Sequence, residues 1–318
     1  MQQPAFWYKK KTLLKYLLSP FGALYGFIVG WRIRHSKPYI PKIPVICVGN
    51  ISVGGTGKTP LCLALADYFH AKNRNVYFLS HGYKSHLQNI LIDPKKHTSA
   101  DVSDEALLFA AKLPTIVNKN RAEGVEKAQS LGADMIIMDD GFQNPTVHKS
   151  CPLLVFDGLR GIGNGACMPA GPLREPLAQG LKRACGVIIV GTDVYKLEDK
   201  IHELCPQMPV LKGHTEPVKN LNNTQGIAFA GIGNPDKFFN MLEKNGVVLK
   251  EKVIFPDHYA YTRKDVKALI DKGYPLFTTR KDAVKIDADL QEKLTIVDIT
   301  FVFDEPEKWD LFFKRKMK

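Results

Sequence analysis

Residues 52–59 read SVGGTGKT and lie just beyond the apolar run Pro44-Val45-Ile46-Cys47-Val48. The run has the make-up of a buried strand over 44–49, and the spacing after the loop predicts a helix over 59–72. A Gly-rich loop between strand and helix lets backbone N–H groups approach phosphate oxygens closely. In a G-x-x-x-x-G-K-[ST] loop the lysine reaches the β/γ-phosphates and the hydroxyl holds Mg²⁺. Gly57-Lys58-Thr59 meets the second half of that pattern, while Ser52 stands where the first glycine is usual. The stretch Ser52, Val53, Gly54, Gly55, Thr56, Gly57, Lys58 and Thr59 is therefore the candidate cradle for nucleotide phosphates with Mg²⁺.

The rest of the chain keeps the same alternation. Strands are expected at 75–79, 115–117, 134–138, 153–156 and 186–190, with helices at 104–112 and 120–131 between them. Wholly apolar strands alternating with helices argue for a parallel sheet covered on both faces. At 217–224, PVKNLNNT, the composition turns polar and the pattern restarts. Strands follow at 226–231, 247–254 and 276–278, helices at 235–245 and 263–272, and a last strand and helix from 295. At 318 residues there is room for two units. The expected organisation is an N-terminal segment 1–36, a phosphate-loop α/β domain 37–218 and a smaller α/β domain 219–318.

Charge is distributed unevenly. Lys and Arg exceed Asp and Glu by 44 − 32 = 12, and no acidic residue precedes Asp67, whereas eight basic residues fall between Lys9 and Lys42. Between them Tyr16 to Trp31, YLLSPFGALYGFIVGW, carries no charge. As a helix this would be about 24 Å long, short of the roughly 30 Å hydrocarbon core. Aromatic ends and basic flanks suit a helix that lies in, or dips through, an anionic membrane surface. A buried core helix is the alternative. No helix-turn-helix, finger or RNA-binding signature accompanies the charge, so nucleic acid is not an expected partner. Nor is an obligate protein partner evident. The six cysteines show no C-x-x-C pairing and read as reduced, buried thiols.

Asp139-Asp140 closes the run DMIIM, where a Mg²⁺-associated carboxylate belongs beside a phosphate loop. By itself an acidic turn ending a strand reads as well. More particular stretches surround it: SDEALL (103–108), DDGFQN (139–144), GNGACMPAGPLREP (163–176), FPDHYAY (255–261) and TTRKDAVK (278–285). Together with VGNISVGGTGKTP (48–60), in this order, they resemble the tetraacyldisaccharide 4'-kinase family, and the likeness covers nearly the whole chain. The doubled glycine also resembles the loops of dimeric switch ATPases, but those carry a second lysine where this chain has Val53. A nucleotide-sensing membrane module is a further alternative, which PAGPLRE and the acidic pairs disfavour.

The family resemblance implies transfer of the γ-phosphate of ATP to the 4'-hydroxyl of a tetraacylated glucosamine disaccharide 1-phosphate. It also implies work at the cytoplasmic face of a Gram-negative inner membrane. By matched motif, Lys58 would hold the β/γ-phosphates, and Gln143 would join the nucleotide site. Thr59, Asp139, Asp140 and Glu105 would serve Mg²⁺. Asp104 would act as base, oriented by His258. Arg121 and Arg174 are candidates for anionic groups of substrate or transition state. Without the resemblance, Asp104 reads as a helix cap and His258 as a structural or surface histidine. Three positions depart from the family pattern: His81 for an arginine, Ala106 for a proline and Asn144 for a histidine.

Overall fold

The computed structural model describes residues 3–9, 11–82, 85–98, 101–219, 221, 224–257 and 259–317. A short 3₁₀ turn, Ala5–Tyr8, leads into helix α1, Leu13–Arg34. The first half then runs β1 Val45–Gly49, α2 Lys58–His70, β2 Val76–Ser80, β3 Ile90–Leu91, α3 Asp104–Ala110, β4 Thr115–Val117, α4 Arg121–Ser130 and β5 Met135–Asp139. It continues with β6 Cys151–Asp157, α5 Leu177–Arg183, β7 Gly186–Val190, α6 Leu197–Leu204 and β8 Val210–Pro217. The second half comprises β9 Gln225–Ala230, α7 Pro235–Lys244, β10 Val248–Ile254, α8 Arg263–Ile270 and β11 Leu276–Thr279. After α9 Arg280–Ala283 and α10 Ala288–Gln291 come β12 Leu294–Val297, β13 Ile299–Phe303 and α11 Pro306–Lys316.

Nine strands form one sheet in the order β13-β8-β7-β6-β1-β5-β2-β4-β3, and four form another in the order β10-β9-β11-β12. The large sheet is parallel except at its edges, where β13 pairs antiparallel with β8 and β3 with β4. Every residue of β1, β2, β5 and β7 is buried, because alternate side chains feed two cores. Cys47, Leu79, Ile136 and Phe156 pack on one face. Ile46, Phe78, Ile137 and Leu65 pack on the other. This is the α/β parallel-sheet class that the alternation predicts.

The C-terminal boundary needs correction. The chain beyond 219 does not stay in one unit: β13 pairs with β8, Phe301 opposite Thr215, and Phe301, Trp309, Phe312 and Phe313 complete the core around α2. Trp309 Nε1 also donates to the Lys212 carbonyl at 3.1 Å. The small sheet therefore spans residues 225–297 and the tail returns to the large one.

Helix α1 is longer than the uncharged stretch because Thr12 caps it, its Oγ1 accepting from Lys15 N at 3.2 Å, and because it continues through Arg32 and Arg34. At 22 residues it is about 33 Å long. Its only buried residues are Gly22, Gly26 and Gly30, where a Cβ would stand 2.6 Å from the Cys167 carbonyl oxygen, 3.0 Å from Pro176 Cδ and 2.4 Å from Gln179 Oε1. Leu17, Phe21, Leu24, Phe27, Ile28 and Trp31 remain exposed. The buried-core alternative does not hold: one narrow glycine stripe docks, and the broad apolar face looks outward.

Candidate active site

Parallel pairing sets Val48 of β1 level with Asp139 of β5, so the loop after β1 and the Asp139-Asp140 pair leave the sheet side by side. This is the carboxyl edge, where open α/β sheets bind ligands. Gly54 and Gly57 adopt φ of +112° and +87°, conformations that a side chain would strain. The loop is tethered on several sides. Val53 N donates to the Pro172 carbonyl at 2.9 Å and Arg174 N to the Ile51 carbonyl at 2.6 Å. The fully buried Asn50 reaches the Gly54 carbonyl at 3.4 Å. PAGPLRE thus serves as a brace for the loop.

Charges gather at its inner side. Lys58 Nζ lies 3.6 Å from Asp140 Oδ1, and Arg174 Nη1 donates to both Asp140 oxygens at 3.0 Å. Burial works against ionisation of Asp140, yet Lys58 and Arg174 hold its carboxyl below the usual range. Asp139 is different. Burial, then the Glu105 carboxylate, pushes it up to about 7, and its buried Oδ1 lacks a hydrogen-bond partner among the described residues. An orphaned, desolvated carboxylate oxygen at the sheet edge that bears the phosphate loop, with the Thr59 hydroxyl in the first turn of α2, offers hard oxygen donors. Mg²⁺ at nucleotide sites takes one or two carboxylates plus phosphate oxygens, so the residues fit that ion.

Across the mouth, α3 starts with Ser103 as its cap, Oγ accepting from Ala106 N at 3.4 Å. Asp104 therefore stands in the first turn rather than at the capping position the bare sequence suggests. Glu105, expected beside the metal, is engaged by Lys281 Nζ at 2.9 Å. Burial opposes a charged Lys281, but Glu105, Asp257 and Asp104 together raise its pKa. Lys281 brings the small sheet's α9 to the acidic end of α3. The motif TTRKDAVK contained it, although nothing local marked it out. His258 lies outside the described residues.

Two expected site residues are used differently. Arg121, 3% exposed, donates to the carbonyls of Leu79 and Asp139, both at 2.9 Å. It ties the ends of β2 and β5 together, while its buried Nε has no hydrogen-bond partner among the described residues. Gln143 spends both amide protons on the Asn50 carbonyl and Glu175 Oε1, each at 2.9 Å, supporting the loop from behind. Of the departures, Asn144 Oδ1 closes a turn by accepting from Thr146 N and Oγ1, and Ala106 is fully buried. Burial first, then the nearby cations Arg121 and Lys119, lowers the His81 pKa. The charged form is thus disfavoured at a position where the family pattern has a guanidinium.

A nine-stranded parallel-type sheet, a tethered phosphate loop and a strand-ending acidic pair define a phosphate-loop nucleotide-binding protein of the phosphotransferase kind. The family model described as tetraacyldisaccharide-1-P 4'-kinase matches residues 14–318. A tetraacyldisaccharide 4'-kinase of Paramagnetospirillum magneticum is 40% identical over 325 residues, covering 99% of this chain and 98% of its own. That of Gluconacetobacter diazotrophicus is 42% identical over 298 residues, covering 91% and 90%. A crystal structure of LpxK from Aquifex aeolicus in complex with ATP superposes with a TM-score of 0.77 at 27% identity, covering 96% of this chain and all of that one. The chain belongs to the tetraacyldisaccharide 4'-kinase family.

Proposed function

We propose that the protein transfers the γ-phosphate of ATP to the 4'-hydroxyl of a tetraacyl glucosamine disaccharide 1-phosphate, forming a lipid A precursor at the cytoplasmic face of a Gram-negative inner membrane. The observation that carries this is the convergence at one sheet edge of the tethered loop, the Lys58–Asp140–Arg174 cluster and the orphaned Asp139 carboxylate. Lys58 and the loop N–H groups would bind the nucleotide phosphates, and Arg174 would keep Asp140 ionised and in place. Mg²⁺, held by Thr59 and Asp139, would supply a positive charge shared between phosphate oxygens. Asp104 would take the proton of the attacking hydroxyl, with Lys281 and Glu105 fixing the approach of the small sheet.

The lipid acceptor explains the outward face of α1, which we read as seated in the membrane interface with its basic flanks on anionic headgroups. We further infer two units, residues 45–217 with 299–316 and residues 225–297, joined at the site by Lys281–Glu105 and by Lys237 Nζ on Asp157 Oδ2 at 3.1 Å.

The test is phosphate transfer from labelled ATP to the disaccharide 1-phosphate, followed by thin-layer separation. Transfer that requires the lipid supports the reading. ATP turnover that proceeds equally without any acceptor supports a switch ATPase instead.

A further inference from the structure

The outer rim of the phosphate loop carries a cation that the transfer scheme leaves unused. Arg160 belongs to the segment after β6, where Gly161 and Gly163 at φ of +55° and +57° turn the chain back over the loop. Its Nη1 comes within 3.6 Å of where a Cβ on Gly54 would stand. A cavity between the two is lined by Tyr8, Ser52, Gly55, Thr56, Asp157 and Arg160. Asp157, three residues before Arg160, is already paired with Lys237.

An aromatic ring supports the guanidinium. Arg160 sits 6.0 Å from the centre of the Tyr8 ring. Burial raises the pKa of that phenol and the guanidinium beside it pulls it back. Support from a neutral ring leaves the positive charge uncompensated by that neighbour. The supporting segment is itself clamped to the loop: Gln3 Nε2 donates to the Val53 carbonyl at 2.8 Å, and Gln3 also bonds the Tyr8 hydroxyl. Trp7 Nε1 donates to the Pro169 carbonyl at 3.0 Å, and Asn164 N to the Trp7 carbonyl at 2.7 Å. Residues 3–8 precede the part of the chain that the family model matches.

We propose that Arg160 is a further phosphate-binding cation of the nucleotide site, supplied in cis and positioned by Tyr8 and Gln3 of the N-terminal segment. A planar guanidinium beside backbone N–H groups suits phosphate oxygens in particular. In phosphoryl transfer an arginine so placed offsets the charge spread over the transferred group. Because only the basic stretch 9–12 separates Tyr8 from α1, the same segment links the phosphate loop to the membrane-facing helix. The proposal rests on the kinase reading, through the assignment of Ser52–Thr59 to the nucleotide.

The experiment uses the full chain in detergent and measures Mg·ATP binding by calorimetry without acceptor, then steady-state kinetics with it. Arg160→Ala should weaken ATP binding about tenfold, the scale of one charge-assisted contact, while the acceptor KM stays unchanged. Tyr8→Phe keeps the ring and removes its hydroxyl contact with Gln3, and should weaken ATP binding less than Arg160→Ala, with the acceptor KM again unmoved. If Arg160→Ala loses its cooperative melting transition, Arg160→Gln replaces it with the same expected shift. ATP affinity within about twofold of wild type in a folded variant overturns the proposal. So does a change confined to the acceptor KM, which would put Arg160 on the lipid phosphate. Lys58→Ala separates the two layers: if it binds ATP normally the loop assignment itself fails, whereas its loss beside a normal Arg160→Ala sinks only the present proposal.

Discussion

Lys58 and Asp140 stand 3.6 Å apart, nitrogen to oxygen, while Arg174 holds the same carboxylate at 3.0 Å. The tighter contact belongs to the brace and the looser one to the residue assigned to the phosphates. A long, partly solvated ion pair holds little energy, so Lys58 can turn to a phosphate while Arg174 keeps Asp140 in place. Lys58→Ala should lower kcat by roughly 10²-fold or more, the scale of a lost preorganised charge. Near-normal turnover would remove the loop from the mechanism.

Asp104 has a clean double readout because Ser103, not Asp104, caps α3. If Asp104 is the base, Asp104→Ala should slow transfer about 10²- to 10⁴-fold. Its stability should change by no more than about 1 kcal/mol, the worth of a carboxylate near a helix N-terminus. A normal rate with a larger drop in the melting midpoint would mean the residue is structural.

Arg121 divides its guanidinium between the Leu79 and Asp139 carbonyls. Arg121→Met would leave two buried acceptors unpaired, at about 1–3 kcal/mol each. Urea unfolding should therefore show a loss of about 2–6 kcal/mol. A variant as stable as wild type but with a raised acceptor KM would return Arg121 to the substrate.

The outward face of α1 can be tested without disturbing the N-terminal segment over the phosphate loop. Leu17, Phe21 and Leu24 are 67%, 61% and 56% exposed, so replacing all three by Glu leaves the glycine stripe docked. The triple variant should be released from anionic vesicles in a sedimentation assay and lose activity on membrane-presented lipid, with ATP affinity retained. Vesicle binding as tight as wild type would mean the helix does not contact lipid through this face.

The parts of the site legible in the sequence are those whose chemistry is local. Gly57-Lys58-Thr59 needs only its own spacing, and β1 and β5 announce themselves as apolar runs because both of their faces are covered. What stayed hidden depends on contacts between distant residues. β8 alternates buried and exposed positions and ends in the polar HTEP, since it lies next to the sheet edge, and so it lacked the apolar signature. β13 could not be assigned to a sheet, because pairing with β8 is decided by the register of Ile299 on Pro217. Arg121 and Gln143 entered as site residues through the family resemblance alone, since nothing in their local sequence marks a contact. Only the fold reveals that their donors point at backbone carbonyls and Glu175.

β13 and α11 follow every other element in the chain, yet they close the sheet that bears the phosphate loop. A ribosome elongating at about 5–20 residues per second has released α1 and the whole second sheet before β8 gains its outer neighbour. Until then the aromatic ground around Tyr68 and Phe69, later covered by Phe313, lies open. The outward apolar face of α1 is thus present before the half that bears the phosphate loop is finished. A chain terminated at Asp298 would retain α1 and the complete small sheet while lacking the last strand and helix of its kinase half.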